Sequence, residues 1–341
     1  MKGNKKIISA LAIALAVLLF ISFIVYDYFN GKNTFEKKSF VMATVATYKL
    51  QGFNSEEVYK QISDTVNDAE NKLISKYKPT SEIFALNKNG SVILDEKVVD
   101  WLKTALDVCN KSQGAFDITV GSLTDFWNIG GENPQIPNNT QLKELLSKTD
   151  YRKIKINGNK ASVGNMKIDL GAVGKGIACD IAKNCLDNSS QKKAIIAYGG
   201  SVLLWSKNNS KFKVGVRDPF ASVNDCFGVV NLPCGFVSTS GDYERVSVIN
   251  GKKYHHIINP KTGFPTENNL KSVTVFCDSG LLSDALSTAC FVLGKDDGIK
   301  LLKKYNAKGI FITNKKEVYI DGELMKDFKI TDSDNKVIPY E

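Results

Sequence analysis

From Ile7 to Tyr28 the chain reads IISALAIALAVLLFISFIVYDY, apolar apart from Ser9, Ser22 and Asp27 near its ends. As a helix rising about 1.5 Å per residue, this stretch spans a hydrocarbon core of roughly 30 Å. Beyond it the pattern shortens. Residues 30–38, NGKNTFEKK, are polar and predict a stalk, whereas FVMATVATYKL (Phe40–Leu50), rich in β-branched and small residues, predicts a strand. Asn54 with Glu57 has the spacing of a capping box. It opens a predicted helix whose apolar positions Val58, Ile62, Val66, Ala69 and Leu73 recur every three or four residues. A second helix is predicted from Lys97 to Ser112, stopping at Gly114. Short strands follow around Lys153–Ile156 and Met166–Asp169, then a helix over Gly176–Leu186 and a run of strands from Ala194 to Phe276. Helices near Ser283–Leu293 and Asp296–Tyr305 precede two closing strands.

Strands clustered between helices without strict βαβ alternation predict an α+β fold with mixed, largely antiparallel sheets and flanking helices. No repeat or Pro-rich linker divides the body, so the expected organisation is a segment 1–31, a linker 32–38 and one functional domain over 39–341. With 43% hydrophobic and 24% charged residues, the 341-residue chain can bury a full core, which excludes a disordered protein or a disulfide scaffold.

Lys2, Lys5 and Lys6 precede the apolar segment, and the positive-inside rule then places the body outside the cytoplasmic membrane. An uncleaved anchor is favoured over a signal peptide, whose apolar region would be shorter and would end in a small-x-small cleavage site. The net charge of +9 suits an anionic ligand or surface. Its lysines are scattered, without the arginine-rich, aromatic-interleaved stripe of a nucleic-acid binder, so no nucleic acid is expected. The seven cysteines include no CxxC pair and read as small buried hydrophobes.

IDLGAVGKGIACD (Ile168–Asp180) sets three glycines and Lys175 at a strand-to-helix turn, where backbone amides and a helix N-terminus favour an anion; a flexible turn with a solvated lysine would look the same. It is neither a Walker A loop nor GxGxxG. The two histidines, His255 and His256, are adjacent in KKYHHIINPKTGFP, and strand alternation puts them on opposite faces, so at most one reaches any site. In LSDALSTACFVLG (Leu282–Gly294), Asp284 and Thr288 share a helix face, either as plain capping groups or as hard oxygen ligands suited to magnesium. GAFDITVGSLTDFW (Gly114–Trp127) offers Asp117 and Thr119, with Phe116 and Trp127 for packing or stacking. VSTSGDYER (Val237–Arg245) reads as a hydroxyl-rich turn.

These stretches, with YKPTSEIFALN (Tyr77–Asn87), AIIAYGGSV (Ala194–Val202) and VGVRDP (Val214–Pro219), follow one another in an order that resembles the FAD:protein FMN transferase family, the ApbE-type flavin transferases. The resemblance covers about residues 39–315. It implies two related subdomains of T-fold-like, ApbE-like architecture and a Mg²⁺-dependent reaction that moves FMN from FAD, the substrate, onto a threonine hydroxyl of an acceptor protein, with release of AMP. By matching positions it implies FAD contacts at Met42, Tyr77, Ala115, Phe116, Asp117, Asp169, Lys175 and Ile257. It also implies a metal held by the main-chain oxygen of Ala172 with Asp284 and Thr288, Ser287 contributing, and His256 as the general base. The alternatives are an FAD pyrophosphatase giving FMN and AMP, and an envelope protein that binds FAD without turning it over. The latter would not need His256 or the Asp284/Thr288 pair.

Overall fold

Residues 34–222, 225–331 and 336–341 are described by a computed structural model. The apolar segment Ile7–Tyr28, and with it the expected membrane anchor, lies outside the described residues. Among those residues no helix is long and apolar enough to cross a membrane.

A nine-stranded sheet forms the spine, in the spatial order Thr34–Val41, Thr44–Gly52, Gln191–Tyr198, Ser201–Ser206, Gly235–Gly241, Leu270–Cys277, Lys308–Thr313, Glu317–Asp321 and Lys336–Tyr340. Every neighbouring pair is antiparallel except the last, which is parallel. Side chains alternate across this sheet. Val273, Val275 and Cys277 enter a core shared with the helices Glu96–Lys111 and Gly280–Leu293, whereas Phe276 faces a second core. In that second core Phe212, Val216, Phe227 and Phe328 of a three-stranded sheet close over Leu204, Val237, Ile310 and Ile312. The protein is thus layered as helices, large sheet and small sheet.

Two helices on the helical face define the place where the site forms. Gly174–Asp187 and Gly280–Leu293 cross at Gly176 and Gly280, so closely that a Cβ on Gly176 would lie 2.0 Å from the Gly280 carbonyl oxygen and one on Gly280 would lie 2.2 Å from that of Gly176. Only glycine permits this approach. Each helix also supplies a carboxylate to the start of the other. Asp180 accepts from the backbone N–H of Gly280 and of Leu281, both at 2.8 Å, and Asp284 accepts from that of Gly176 at 2.7 Å. Helix starts leave donors without intrahelical partners, and the reciprocal carboxylates satisfy them.

Several expected elements are corrected. Residues 34–38 are not a stalk but most of the edge strand Thr34–Val41, where Phe35 packs on Tyr59 with ring centroids 5.7 Å apart. An edge strand keeps one face in water, so its sequence stays polar. Phe40–Leu50 is not one strand; the chain reverses at Met42 and Ala43, both in the left-handed region at φ 51° and 54°. Such a two-residue hairpin turn ordinarily carries Asn or Gly, and its absence hid the reversal. Asn54 makes no capping box: it adopts a left-handed conformation and its amide donates to Glu57 Oε2 at 2.9 Å. Met166–Asp169 forms no named strand, only a parallel bridge between Val120 and Lys167. All seven cysteines are free, four of them buried.

Candidate active site

Asp284 lies one turn into Gly280–Leu293, and its second oxygen accepts from Ser201 Oγ at 2.5 Å. Lys175 Nζ stands 3.8 Å from the same carboxylate. One turn further, the half-buried Thr288 shares with Ser287 the hydroxyl of Ser240, at 3.2 and 2.8 Å. Alternation along Gly235–Gly241 explains the contact: Ser238 and Ser240 turn toward the helix, Ser238 meeting Ser283 at 2.7 Å, while Thr239 meets Thr274 on an adjacent strand. Lys175 and Asp284 therefore meet beside the helix crossing, with Ser287 and Thr288 one turn further along Gly280–Leu293. Ala172 occupies the turn leading into Gly174–Asp187, three residues before Lys175. These donors are a carboxylate, hydroxyls and a main-chain oxygen. They fit a hard divalent cation that takes few protein ligands and completes its shell with water and phosphate. Among the described residues no group of three or more His, Cys, Asp or Glu stands ready to hold a metal, as a transition-metal site would require.

The strand Lys252–His255 ends between the two histidines, and their surroundings differ. His255 is occupied at both ring nitrogens: Nε2 lies 2.8 Å from the Thr266 carbonyl oxygen, Nδ1 accepts from the Ile257 N–H at 3.3 Å, and the ring meets Phe291 edge-on. His256 Nδ1 is buried with no hydrogen-bond partner. Burial, with the cations Arg245 and Lys175 close by, lowers the His256 pKa to about 4. The imidazole is accordingly neutral at physiological pH. Ile257, the next residue, is 5% exposed and belongs to the main core.

The remaining candidates lie around the loop that precedes Lys175. The Asp169 N–H donates to the Ile118 carbonyl at 2.8 Å, which joins this loop to Ala115, Phe116 and Asp117. Asp117 is buried and already engaged, accepting from the Thr119 N–H and hydroxyl at 2.7 and 2.6 Å and from the Tyr151 N–H at 3.1 Å. Burial pushes its carboxyl up. Asp169 accepts from Thr124 Oγ1 at 2.6 Å, from the Gly171 N–H at 2.8 Å and from Lys76 at 2.8 Å. Burial would raise this carboxyl too, but the Lys76 charge outweighs it and holds Asp169 below the ordinary range. Tyr77 stays 70% exposed, with the Lys76 ammonium over its ring. Met42 sits at the strained hairpin turn, its N–H donating to Glu70 Oε2 at 3.1 Å, and it packs where two cores meet. Among the described residues no hydrogen bond or ion pair links Met42 or Tyr77 to the Lys175–Asp284 centre.

Sequence reasoning missed Lys76, Ser201, Ser240 and Arg245 as parts of this region. Period-two spacing in VSTSG could have flagged Ser240. Lys76 stood in a polar stretch that reads as solvated.

This geometry has relatives. The sequence matches the ApbE family over residues 42–311. The FAD:protein FMN transferase of Treponema pallidum is 30% identical over 293 residues, which cover 79% of this chain and 81% of the relative. That of Escherichia coli K12 is 29% identical over 74% of this chain and 76% of its own. The crystal structure of the ApbE protein from Thermotoga maritima superposes with a TM-score of 0.77 at 28% identity, covering 86% of this chain and 99% of that one. The flavin transferase ApbE from Vibrio cholerae shares the fold with a TM-score of 0.73 at 24% identity, over 82% of this chain and 94% of that one. The chain belongs to the ApbE family. It is an enzyme, a transferase.

Proposed function

We propose that this enzyme transfers FMN from FAD to a threonine hydroxyl of an acceptor protein, with Mg²⁺ held by Asp284, Thr288 and the Ala172 carbonyl, Ser287 contributing. The observation that supports the reading is Lys175 standing beside the Asp284 carboxylate at the helix crossing, with Thr288 one turn on and the Lys175 charge among those that keep His256 neutral. The names of the relatives support the substrate.

The threonine oxygen bonds to the FMN phosphorus as the pyrophosphate bond breaks, and AMP leaves with the bridging oxygen. His256, neutral at pH 7, accepts the hydroxyl proton at a ring nitrogen and releases it to AMP or solvent. Lys175 offsets negative charge on the pyrophosphate, and the backbone of the Gly171–Val173 turn before the helix lets the phosphates approach. The bound cation would neutralise phosphate charge in the transition state. Tyr77 offers a stacking face, and Ala115–Asp117 with Asp169 shape the cleft for the rest of FAD.

Incubating the full chain with FAD, Mg²⁺ and a purified acceptor carrying a threonine should give equal amounts of AMP and FMN-modified acceptor by intact mass and in-gel flavin fluorescence. AMP with free FMN and an unmodified acceptor identifies a pyrophosphatase instead. FAD binding with no AMP under any metal condition identifies a binder.

The reading extends to location, with Ile7–Tyr28 as an uncleaved anchor and the domain outside the cytoplasmic membrane, next to an extracytoplasmic or membrane acceptor. Protease added to intact cells should then digest the domain. Protection until the cells are broken would reverse the orientation, and a soluble form starting near Asn30 would mean cleavage.

A further inference from the structure

Tyr77 and Asp169 belong to different segments, yet one buried side chain touches both. Lys76 leaves the π-helical turn Glu70–Ile74 and buries its side chain to 7% exposure. Its ammonium lies 2.8 Å from Asp169 Oδ2, 2.7 Å from Asp125 Oδ1 and 2.7 Å from Thr124 Oγ1, and 4.9 Å from the centroid of the Tyr77 ring. Lys167 holds the other oxygen of Asp125 at 2.9 Å. All three ammonium donors are directed into the protein. The arrangement borders a depression of about 220 Å³ lined by Tyr77, Phe84, Asn87, Lys88, Asp125 and Lys167 together with Lys76 itself.

We propose that Lys76 is a positioning residue for FAD: without touching the substrate, it fixes the Asp169 carboxylate and the Tyr77 ring in the arrangement that receives it. The proposal rests on the flavin-transferase reading above. A purely structural ion pair would need only one carboxylate and no open cleft. Here a single cation joins a carboxylate beside the glycine turn to an exposed ring, and the depression lies between its neighbours. Ammonium–ring attraction strengthens as the cation is desolvated, and this one is buried. Losing it would free the ring and leave Asp169 with only Thr124 and the Gly171 N–H, opposite the like charge of Asp125. The charged groups facing Asp169 are Lys76 from its own segment and Asp125 from the helix Gly121–Trp127, with Lys167 behind Asp125.

The test compares wild type, Lys76→Met, Lys76→Arg, Asp169→Asn and Tyr77→Ala by FAD titration and steady-state kinetics between pH 5 and 8, with thermal melts as a folding control. Lys76→Met should weaken FAD on the order of 10–100-fold, the span seen when a group orienting a binding residue is removed. The loss should fall mainly on KM. Wild-type affinity should stay flat with pH, because Lys76 keeps Asp169 ionised, whereas affinity in Lys76→Met should fall further as pH drops and the unpaired carboxyl protonates. Lys76→Arg should recover most of the affinity. Should Lys76→Met melt below assay temperature, Lys76→Gln, which keeps a donor for Asp169, must show the same weakened, pH-dependent binding. If Asp169→Asn and Tyr77→Ala weaken FAD while the neutral Lys76 variants bind it like wild type, the positioning role is wrong and the site reading stands. If wild type binds no FAD, the site reading itself has failed.

Discussion

His256→Ala is expected to bind FAD as wild type does and to lose flavin transfer by about 10²–10⁴-fold, the usual contribution of a positioned general base. Binding should survive because Lys175, the glycine turn and Asp169 are untouched. Transfer should fail because no other neutral imidazole is free: His255 spends both nitrogens on Thr266 and Ile257. The pH profile adds a second check with a definite sign. Burial and the cations Arg245 and Lys175 lower the His256 pKa to about 4, so the base form persists as pH falls past the ordinary histidine value of about 6.5. Wild-type kcat/KM should therefore stay on its plateau through pH 6 and decline only toward about 4. The variant should lack that limb and regain part of its rate at high pH, where the acceptor hydroxyl needs less help. Undiminished transfer in His256→Ala, or a wild-type limb centred near 6.5, would remove the residue from the chemistry.

Asp284→Asn should abolish most activity and flatten the magnesium dependence, while the protein stays folded. The substitution removes a formal charge and keeps size and one carbonyl oxygen. That oxygen can still accept from the Gly176 N–H, and the Ser201 hydroxyl can rotate to accept from the new amide. Loss of the cation's contribution corresponds to several kcal/mol of transition-state stabilisation. Melting temperature, magnesium titration and turnover measured on one preparation separate the outcomes. Wild-type turnover with an unchanged titration would place the ion elsewhere. A collapsed melting temperature would assign the residue to holding the helix crossing, a role its contact with Gly176 makes measurable.

The long helices were legible because their apolar spacing repeats over several turns. Val58, Ile62, Val66 and Ala69 are buried in Ser55–Ala69, and Val98, Leu102, Ala105 and Cys109 in Glu96–Lys111. Asn139–Ser147 buries no residue and so carries no such signal; Glu82–Asn89 buries only Ile83 and Leu86. The hairpin at Met42–Ala43 was illegible because strained φ values replace the turn residues that would announce it. At the site, residues one turn apart on a helix, such as Asp284 and Thr288, can be paired by eye. Lys76 and Asp169 cannot: they stand 93 positions apart, and only the folded chain shows that the lysine is buried. Asp180 was likewise invisible as a partner of Gly280, 100 residues away.

The crossing of Gly174–Asp187 with Gly280–Leu293 bears on how the site could be altered. Gly176 precedes Asp180 by four positions, Gly280 precedes Asp284 by four, and each aspartate fastens the opposite helix. The fastenings differ in detail, Asp180 accepting from two amides and Asp284 from one amide and the Ser201 hydroxyl, and the copy carrying Asp284 is the one that stands beside Lys175 and one turn from Thr288. Asp180 is spent on the two amides that open the opposite helix. Burial keeps its carboxyl pushed up even with two amides donating to it. The carboxylate and the glycine crossing thus occur twice in this molecule, and what sets the proposed centre apart is the lysine and the threonine beside Asp284.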